Sequence, residues 1–247
     1  MIKERVGILF DVHAPYHDKN SYEFAVNTLA SLKPKLTKLI IGGDFIDCHK
    51  ISFFKSDPNR ESFRDEIIQA RKLLIDLRKR FPKIKIDFIN GNHETRVYRY
   101  VRDNAPELLW NNRIENLLHL DARNINYIDN IKLMNDGYEP YKLGKLYVLH
   151  GHEKKISYGA VNLARLMHIK TKANVIFGHY HKSDKYLTKK LDGTHEGCWA
   201  IGTLGKLSEP YQPISDWVNA FAYVDVFRDG FFEVHSKLIM EGRVVNA

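Results

Sequence analysis

The nine residues Leu39-Ile40-Ile41-Gly42-Gly43-Asp44-Phe45-Ile46-Asp47 decide how the rest of the chain is read. Three consecutive β-prone apolar residues without polar alternation suit a strand buried on both faces. Gly42-Gly43 lack side chains, so the backbone can turn tightly as the strand ends. The turn delivers one carboxylate, Asp44, and a second, Asp47, three residues later. A short buried strand that ends on acids implies a sheet with functional groups gathered along one edge.

The same grammar recurs four times. Residues 6–10 lead to Asp11-Val12-His13, and residues 84–89 to Gly91-Asn92-His93-Glu94. Residues 146–149 lead to His150-Gly151-His152, and residues 175–177 to Gly178-His179-Tyr180-His181. Helical patterns at 21–32, 61–81, 106–120 and 158–169 alternate with these strands, which predicts an α/β fold. The second is the best patterned: Phe63, Ile67, Ala70, Leu74, Leu77 and Phe81 form one apolar stripe, and Pro82 stops it. Its opposite face, with Arg64, Arg71, Lys72, Arg78 and Lys79, reads as solvated surface. After His181 the pattern changes to short strands. Asp192-Gly193 and Asp229-Gly230 are hairpin signals, and 221–227 should pair with 231–235. One domain over 1–247 is expected, two packed sheets with helices outside, with a helical lid or substrate-shaping insertion at about 94–120.

The 247 residues suffice for one large α/β domain or, at a stretch, two small ones. With 44% apolar and 28% charged residues, the composition is that of an ordinary globular chain. No apolar run approaches the roughly 20 residues that span a bilayer, so no membrane partner is expected. Met1-Ile2-Lys3-Glu4-Arg5-Val6 runs into the first strand without the shape of a signal peptide, which leads us to expect a cytoplasmic protein. Cys48 and Cys198 have no metal-knuckle spacing and are too few for a disulfide framework. The formal charge of +8 favours anionic partners, phosphates among them. Oligomeric state is not legible.

Two divalent cations held roughly 3.5–4 Å apart need a bridging carboxylate, imidazole and oxygen ligands, and open positions. Asp44 is the best bridge. On an extended backbone Asp11 and His13 would face one side and hold one ion, and His179 and His181 could do the same across the pair. Each island alone is weak evidence; five in one chain, each near a strand end, are not readily explained by structural coincidence.

The order D-x-H, G-D-x-x-D, G-N-H-E, a later His and G-H-x-H resembles the calcineurin-like metallophosphoesterase family, over the stretch from Asp11 to His181. The resemblance implies a four-layer α/β/β/α sandwich of two mixed sheets flanked by helices, with the trailing strands in the second sheet. It assigns Asp11, His13 and His181 to a first metal, Asp44 to the bridge, and Asn92, His150 and His179 to a second. His93 would be the catalytic histidine, oriented and kept cationic by Asp47. Two divalent ions are implied, Mn first, with Fe, Zn, Ni, Co or Mg as alternatives. Asp47 is followed by Cys48-His49 where the Ser/Thr phosphatase branch has Arg-Gly, and His93 is missing from the UDP-diacylglucosamine hydrolase branch. The full G-H-x-H looks more like the phosphodiesterase and repair-nuclease branches.

The activity so implied is hydrolysis of a phosphate ester by metal-activated water, with a phosphodiester of nucleic acid or nucleotides as substrate. The alternatives are a phosphomonoesterase on a nucleotide or phosphoprotein, and a non-catalytic nucleic-acid-binding module. Arg96, Arg99 and His152 are candidate substrate contacts. The stretch 96–102 interleaves Arg and Tyr, which suits phosphates and bases or, equally, an amphipathic helix with tyrosines packed inward. Glu94 should cap or anchor the following helix, and Cys48-His49 should pack behind the site. His17, His119, His168, His195 and His235 read as surface or core histidines.

Overall fold

The computed structural model describes residues 1–53, 57–129, 140–157, 161–208 and 213–247. Among these lie twelve strands and five α-helices. The strands are β1 (Ile2–Leu9), β2 (Lys38–Ile41), β3 (Lys85–Ile89), β4 (Ile125–Ile128), β5 (Tyr141–Leu143), β6 (Leu146–Leu149), β7 (Val175–Phe177), β8 (Asp184–Lys189), β9 (His195–Ala200), β10 (Ala220–Phe227), β11 (Phe232–Met240) and β12 (Arg243–Asn246). The helices are α1 (Lys19–Ser31), α2 (Phe63–Arg80), α3 (Asn92–Asn104), α4 (Ile114–Leu117) and α5 (Leu163–Thr171).

Two mixed sheets result. A seven-stranded sheet runs β12-β11-β10-β1-β2-β3-β4, and a five-stranded sheet runs β5-β6-β7-β9-β8. In the first, β1, β2, β3 and β4 are mutually parallel, while β10 joins β1 antiparallel, so of the trailing strands only β8 and β9 fall in the second sheet as expected, and β10, β11 and β12 extend the first. In the second, β6, β7 and β9 are parallel, with antiparallel β5 and β8 at the edges.

Three apolar clusters define the layers. Val6, Ile8, Ile40, Ala222 and Val224 of the larger sheet meet Leu146, Val148, Ile176 and Trp199 of the smaller one. The other face of the larger sheet packs Leu9, Leu39, Ile41 and Phe88 against Ala25 and Leu29 of α1 and Ala70, Leu74 and Leu77 of α2. The outer face of the smaller sheet packs Phe177 and Cys198 against Leu163, Ala164 and Met167 of α5. The order is therefore helices, sheet, sheet, helix, as the sequence implied. Burying each large apolar side chain contributes about 1.5–3 kcal/mol.

Because β1, β2 and β3 are parallel neighbours, their C-terminal ends lie along one edge. The ends of β6 and β7 do the same in the facing sheet. All five islands leave the fold at those ends.

Helix α2 follows the predicted stripe. Ser62 caps it by accepting from the Asp65 amide at 3.2 Å, and Arg78, Lys79 and Arg80 close its last turn, where cations suit the helix dipole. Its polar face is not wholly solvated. Arg71 Nε donates to Leu117 O at 2.7 Å, and Arg78 donates to the carbonyls of Phe81, Ile84, Arg123 and Asn124. These arginines tether the segment that follows α3. That segment departs from expectation: in place of one helix over 106–120 there is a 3-10 turn at Pro106–Leu108, then α4, a single turn. Leu108 is 52% and Trp110 77% exposed, so the apolar stripe needed for a long helix is not buried there. The first residues of the predicted 158–169 helix, 158–160, lie outside the described residues, and α5 covers its later part.

Candidate metal centre

The ligand loops are built on an unusual backbone. Asp11, His13, Asp44, His179 and His181 all have positive φ, between 50° and 71°. A non-glycine residue there costs about 1–2 kcal/mol, and such strain clusters at functional sites. The expectation that Asp11 and His13 share a side through an extended backbone is thus incorrect. They lie beyond the end of β1 in left-handed conformation, and that turn brings both side chains inward.

Hydrogen bonds between loops hold these conformations. The amides of Asp11 and His13 donate to the carbonyls of Gly43 and Asp44, at 3.2 and 2.9 Å. The carbonyl of Asp11 accepts from Thr203 Oγ1 at 2.7 Å and from the Leu204 amide at 3.0 Å. Glu94 is the central brace. Its carboxylate accepts from the Gly91 amide, anchoring α3 as the sequence suggested, and also from the amides of Asp44 and Phe45, all at 2.8–2.9 Å, which ties the Asp44 turn to the helix. Burial and the neighbouring Asp44 charge raise its pKa to about 7. Gly91 is where this packing leaves no room, since a Cβ there would lie 2.3 Å from both Asp44 N and Oδ1.

Within the loops the side chains converge. Asp11, His13 and His181 form one group that could hold a metal ion, and Asp44, His150 and His179 another; His13, Asp44 and His93 overlap both. His13 Nε2 and His181 Nε2 face each other at 3.1 Å, with Asp11 Oδ1 at 3.8 and 3.4 Å from them. Across the site, His150 Nε2 lies 3.2 Å from Asp44 Oδ2 and 3.0 Å from Asn92 Oδ1. Asp11 Oδ1 is fully buried without a hydrogen-bond partner. A buried carboxylate oxygen without a donor is costly, and two imidazole nitrogens at 3.1 Å match the spacing of ligands about 2.1 Å from one cation. The donor set of imidazole, carboxylate and amide oxygen fits borderline divalent ions.

On two of the rings the outer nitrogen is satisfied as a ligand requires. His150 Nδ1 is 3.0 Å from Gly42 O, and His13 Nδ1 is 3.1 Å from Asp47 Oδ1, which leaves each Nε2 facing the site. Burial keeps His13 and His179 neutral, the latter pushed down to about 3 with help from the His150 charge. At His150 burial works against the cation, but Asp44 and Asp11 outweigh it and lift the ring to about 10. Burial likewise opposes ionisation of Asp44, and the imidazoles of His150 and His93 hold its carboxyl well below the usual range.

His93 stands at the mouth. Its Nδ1 lies 2.7 Å from Asp47 O and 3.1 Å from Asp47 Oδ1. Arg96 Nη2 contacts its Nε2 at 2.9 Å, and a guanidinium can only donate. With Arg96 donating to Nε2, the ring keeps its proton on Nδ1, toward Asp47. Burial opposes the cation while Asp44 and Asp47 favour it, with a net upward shift; protonating Nε2 requires Arg96 to move off it. Asp47 thus serves two rings, His13 and His93. Burial would raise its carboxyl, yet their hydrogen bonds hold it well below the usual range.

The remaining sequence candidates are spread around this core. Arg96 Nη1 donates to Asp47 O at 2.8 Å, so both its contacts face the protein. Arg99 is exposed on α3. The His152 ring is 5.3 Å from that of His150 and 6.2 Å from that of His179, beside the cluster. On α3, Tyr98 is half-buried and Tyr100 half-exposed.

A cavity of about 200 Å³ opens over the two groups, and its wall includes Tyr16, Arg60, Lys206 and Trp217, none of which the sequence reading singled out. Arg60 Nη1 lies 3.4 Å from Asp47 Oδ2 with its guanidinium carbon 4.3 Å from the Tyr16 ring centroid, and Trp217 stands edge-on to His181 at 4.6 Å. All four lie outside the motifs; the Pro15-Tyr16 step, one residue beyond the Asp-x-His island, was the available signal for one of them.

No protein-family model matches the chain, and no curated protein matches it. No helix among the described residues is long and apolar enough to cross a membrane.

Proposed function

We propose that this chain is a dinuclear metal-dependent phosphoesterase of the calcineurin-like type, hydrolysing a phosphodiester of nucleic acid or nucleotides. The observation that carries the reading is the meeting of His13 Nε2 and His181 Nε2 at 3.1 Å beside the orphaned oxygen of Asp11, with the Asp44, His150, Asn92 and His179 set next to it. Asp11, His13 and His181 would hold one ion, Asn92, His150 and His179 the other, and Asp44 would bridge them. Two divalent ions, Mn first, would lower the pKa of the attacking water and neutralise the non-bridging phosphate oxygens.

The chain's own groups do the rest. In the hydrolysis a water oxygen bonds to phosphorus, the ester P–O bond breaks, and the departing oxygen gains a proton. His93 is the histidine lining the cavity that does not complete either ligand set, and it is the group to manage that proton. Asp47 fixes its Nδ1, and Arg96 withdraws from or returns to Nε2 as the ring's protonation changes. Arg60, on the wall, offers a guanidinium to a phosphate oxygen. The +8 charge assists encounter with polyanions.

The test is turnover of bis-p-nitrophenyl phosphate against p-nitrophenyl phosphate with Mn²⁺. The expected result is a higher kcat/KM on the diester, abolished by EDTA. Preference for the monoester would remove the diester assignment, and turnover of neither ester with any of Mn²⁺, Zn²⁺, Ni²⁺, Co²⁺ or Mg²⁺ would remove the phosphoesterase reading.

A further inference from the structure

The cavity over the metal centre does not end at the metal centre. Beside it lies a second hollow of about 420 Å³, lined by residues of the loop entering α1 and by Glu61 and Lys206. Tyr16 and Lys206 line both spaces. A molecule whose phosphate sits over the metal groups can therefore extend past these two side chains into the second hollow.

The wall between the two spaces is fixed to the ligand loops. The Tyr16 amide donates to His13 O at 2.6 Å, the Lys206 amide donates to Tyr16 O at 3.1 Å, and His17 forms an antiparallel bridge with Gly205. Tyr16 Oη also accepts from the Glu61 amide at 3.1 Å. The distance from subsite to metal centre is thus set by the same backbone that holds His13.

The chemistry of the hollow is mixed. It has an aromatic ring, Tyr16, the ammonium groups of Lys19 and Lys206, the amide of Asn20 and two carboxylates. Of these, Asp18 is engaged, accepting from the Ser21 amide at 2.7 Å to cap α1. A lining of cations alone would suit bare polyphosphate, and an apolar one an alkyl group. A nucleoside needs what is present here: an aromatic wall for its base, an amide for the base edge, a carboxylate to accept from sugar hydroxyls, and cations for flanking phosphates.

We propose that this hollow is a subsite for a nucleoside attached to the scissile phosphate, with Tyr16 and Lys206 as specificity-determining residues; this rests on the phosphodiesterase reading above. The preferred substrate is then a nucleotide diester, and simple aryl diesters are poor mimics that use the metal centre alone.

The test compares thymidine 5′-p-nitrophenyl phosphate with bis-p-nitrophenyl phosphate under Mn²⁺, since both release p-nitrophenol. The wild-type protein is expected to favour the thymidine ester at least tenfold in kcat/KM. Lys206→Ala and Tyr16→Ala should each shrink that preference at least fivefold, and Tyr16→Phe, which keeps the ring, should retain most of it. Lys206 is exposed, so its variant tests the subsite even if Tyr16→Ala fails to fold. A wild-type preference under twofold, or a preference that neither alanine variant reduces, overturns the subsite while leaving the phosphodiesterase reading standing. Failure to cleave either diester overturns that reading and the subsite with it.

Discussion

Among the described residues two regions gather aspartate and histidine, and only one of them has the makings of a metal centre. At the ends of β1, β2, β3, β6 and β7, Asp11 keeps a buried oxygen with no donor, His13 Nε2 and His181 Nε2 meet at 3.1 Å, and five of the contributing residues have positive φ. On strands β10 and β11, Asp225, Glu233 and His235 also come within ligand range of one another. There, however, Asp225 is gripped by Arg5 through both oxygens, at 2.6 and 2.5 Å, on regular strand backbone. The second cluster has satisfied its charge with a guanidinium; the first has not. Residue type does not distinguish them. An orphaned carboxylate oxygen and strained backbone do.

The sharpest way to break this comparison is to remove one carboxylate from each. Asp44→Asn should lower kcat/KM on a diester by at least about 10³-fold and reduce bound Mn²⁺ to one equivalent or none, since a bridging group is lost. Asp225→Asn should leave bound metal at the wild-type level and instead cost about 3–5 kcal/mol of stability, because the Arg5 charge stays buried without its partner. Metal analysis and urea unfolding of both variants check this. Equal metal loss in the two would mean that the clusters are alike.

His93 sharpens the contrast within the first region. It belongs to an overlapping group with His13 and Asp44, yet its Nδ1 is committed to Asp47 and its Nε2 to Arg96. His93→Ala is expected to keep its full metal content while kcat falls about 10²–10⁴-fold, the range for removal of a general acid or base. Loss of an ion from that variant would show the ring to be a ligand.

How much of this was readable beforehand follows from the physics of each element. The strands before the islands are short uninterrupted apolar runs, and the stripe of α2 has a helical period, so local pattern alone revealed them. Asp11, His13, Asp44, Asn92, His150, His179 and His181 stood out because polar groups at strand ends share one edge of a parallel sheet. Their φ values were not legible, since nothing in Asp11-Val12-His13 announces a left-handed turn; that conformation is imposed by the bonds to Gly43, Asp44 and Thr203. Tyr16, Arg60, Lys206 and Trp217 were missed for the same reason, as only the tertiary fold brings them to one wall. The 106–120 stretch misled because its leucines have helical spacing, while Trp110 and Leu108 remain in solvent.

A third carboxylate gives the limiting case, buried with neither an arginine nor a place in either metal group. Glu66 on α2 is fully buried, and its Oε1 accepts from the His49 amide at 3.1 Å while Oε2 has no partner. Burial, reinforced by the Asp47 charge, raises its pKa from 4.5 to about 8. An acid whose folded pKa lies above its unfolded value stabilises the fold fully below pH 4.5, loses that contribution as pH rises towards 8, and contributes a constant deficit beyond. The shift corresponds to on the order of 3–5 kcal/mol between those limits. Glu66→Gln keeps the hydrogen-bond acceptor and cannot ionise. Its unfolding free energy should therefore sit near or slightly below wild type at pH 4.5 and above it at pH 9, with the gap opening between those values. Urea titrations of both proteins across that range test this, and curves that stay parallel would show that Glu66, too, has found a cation.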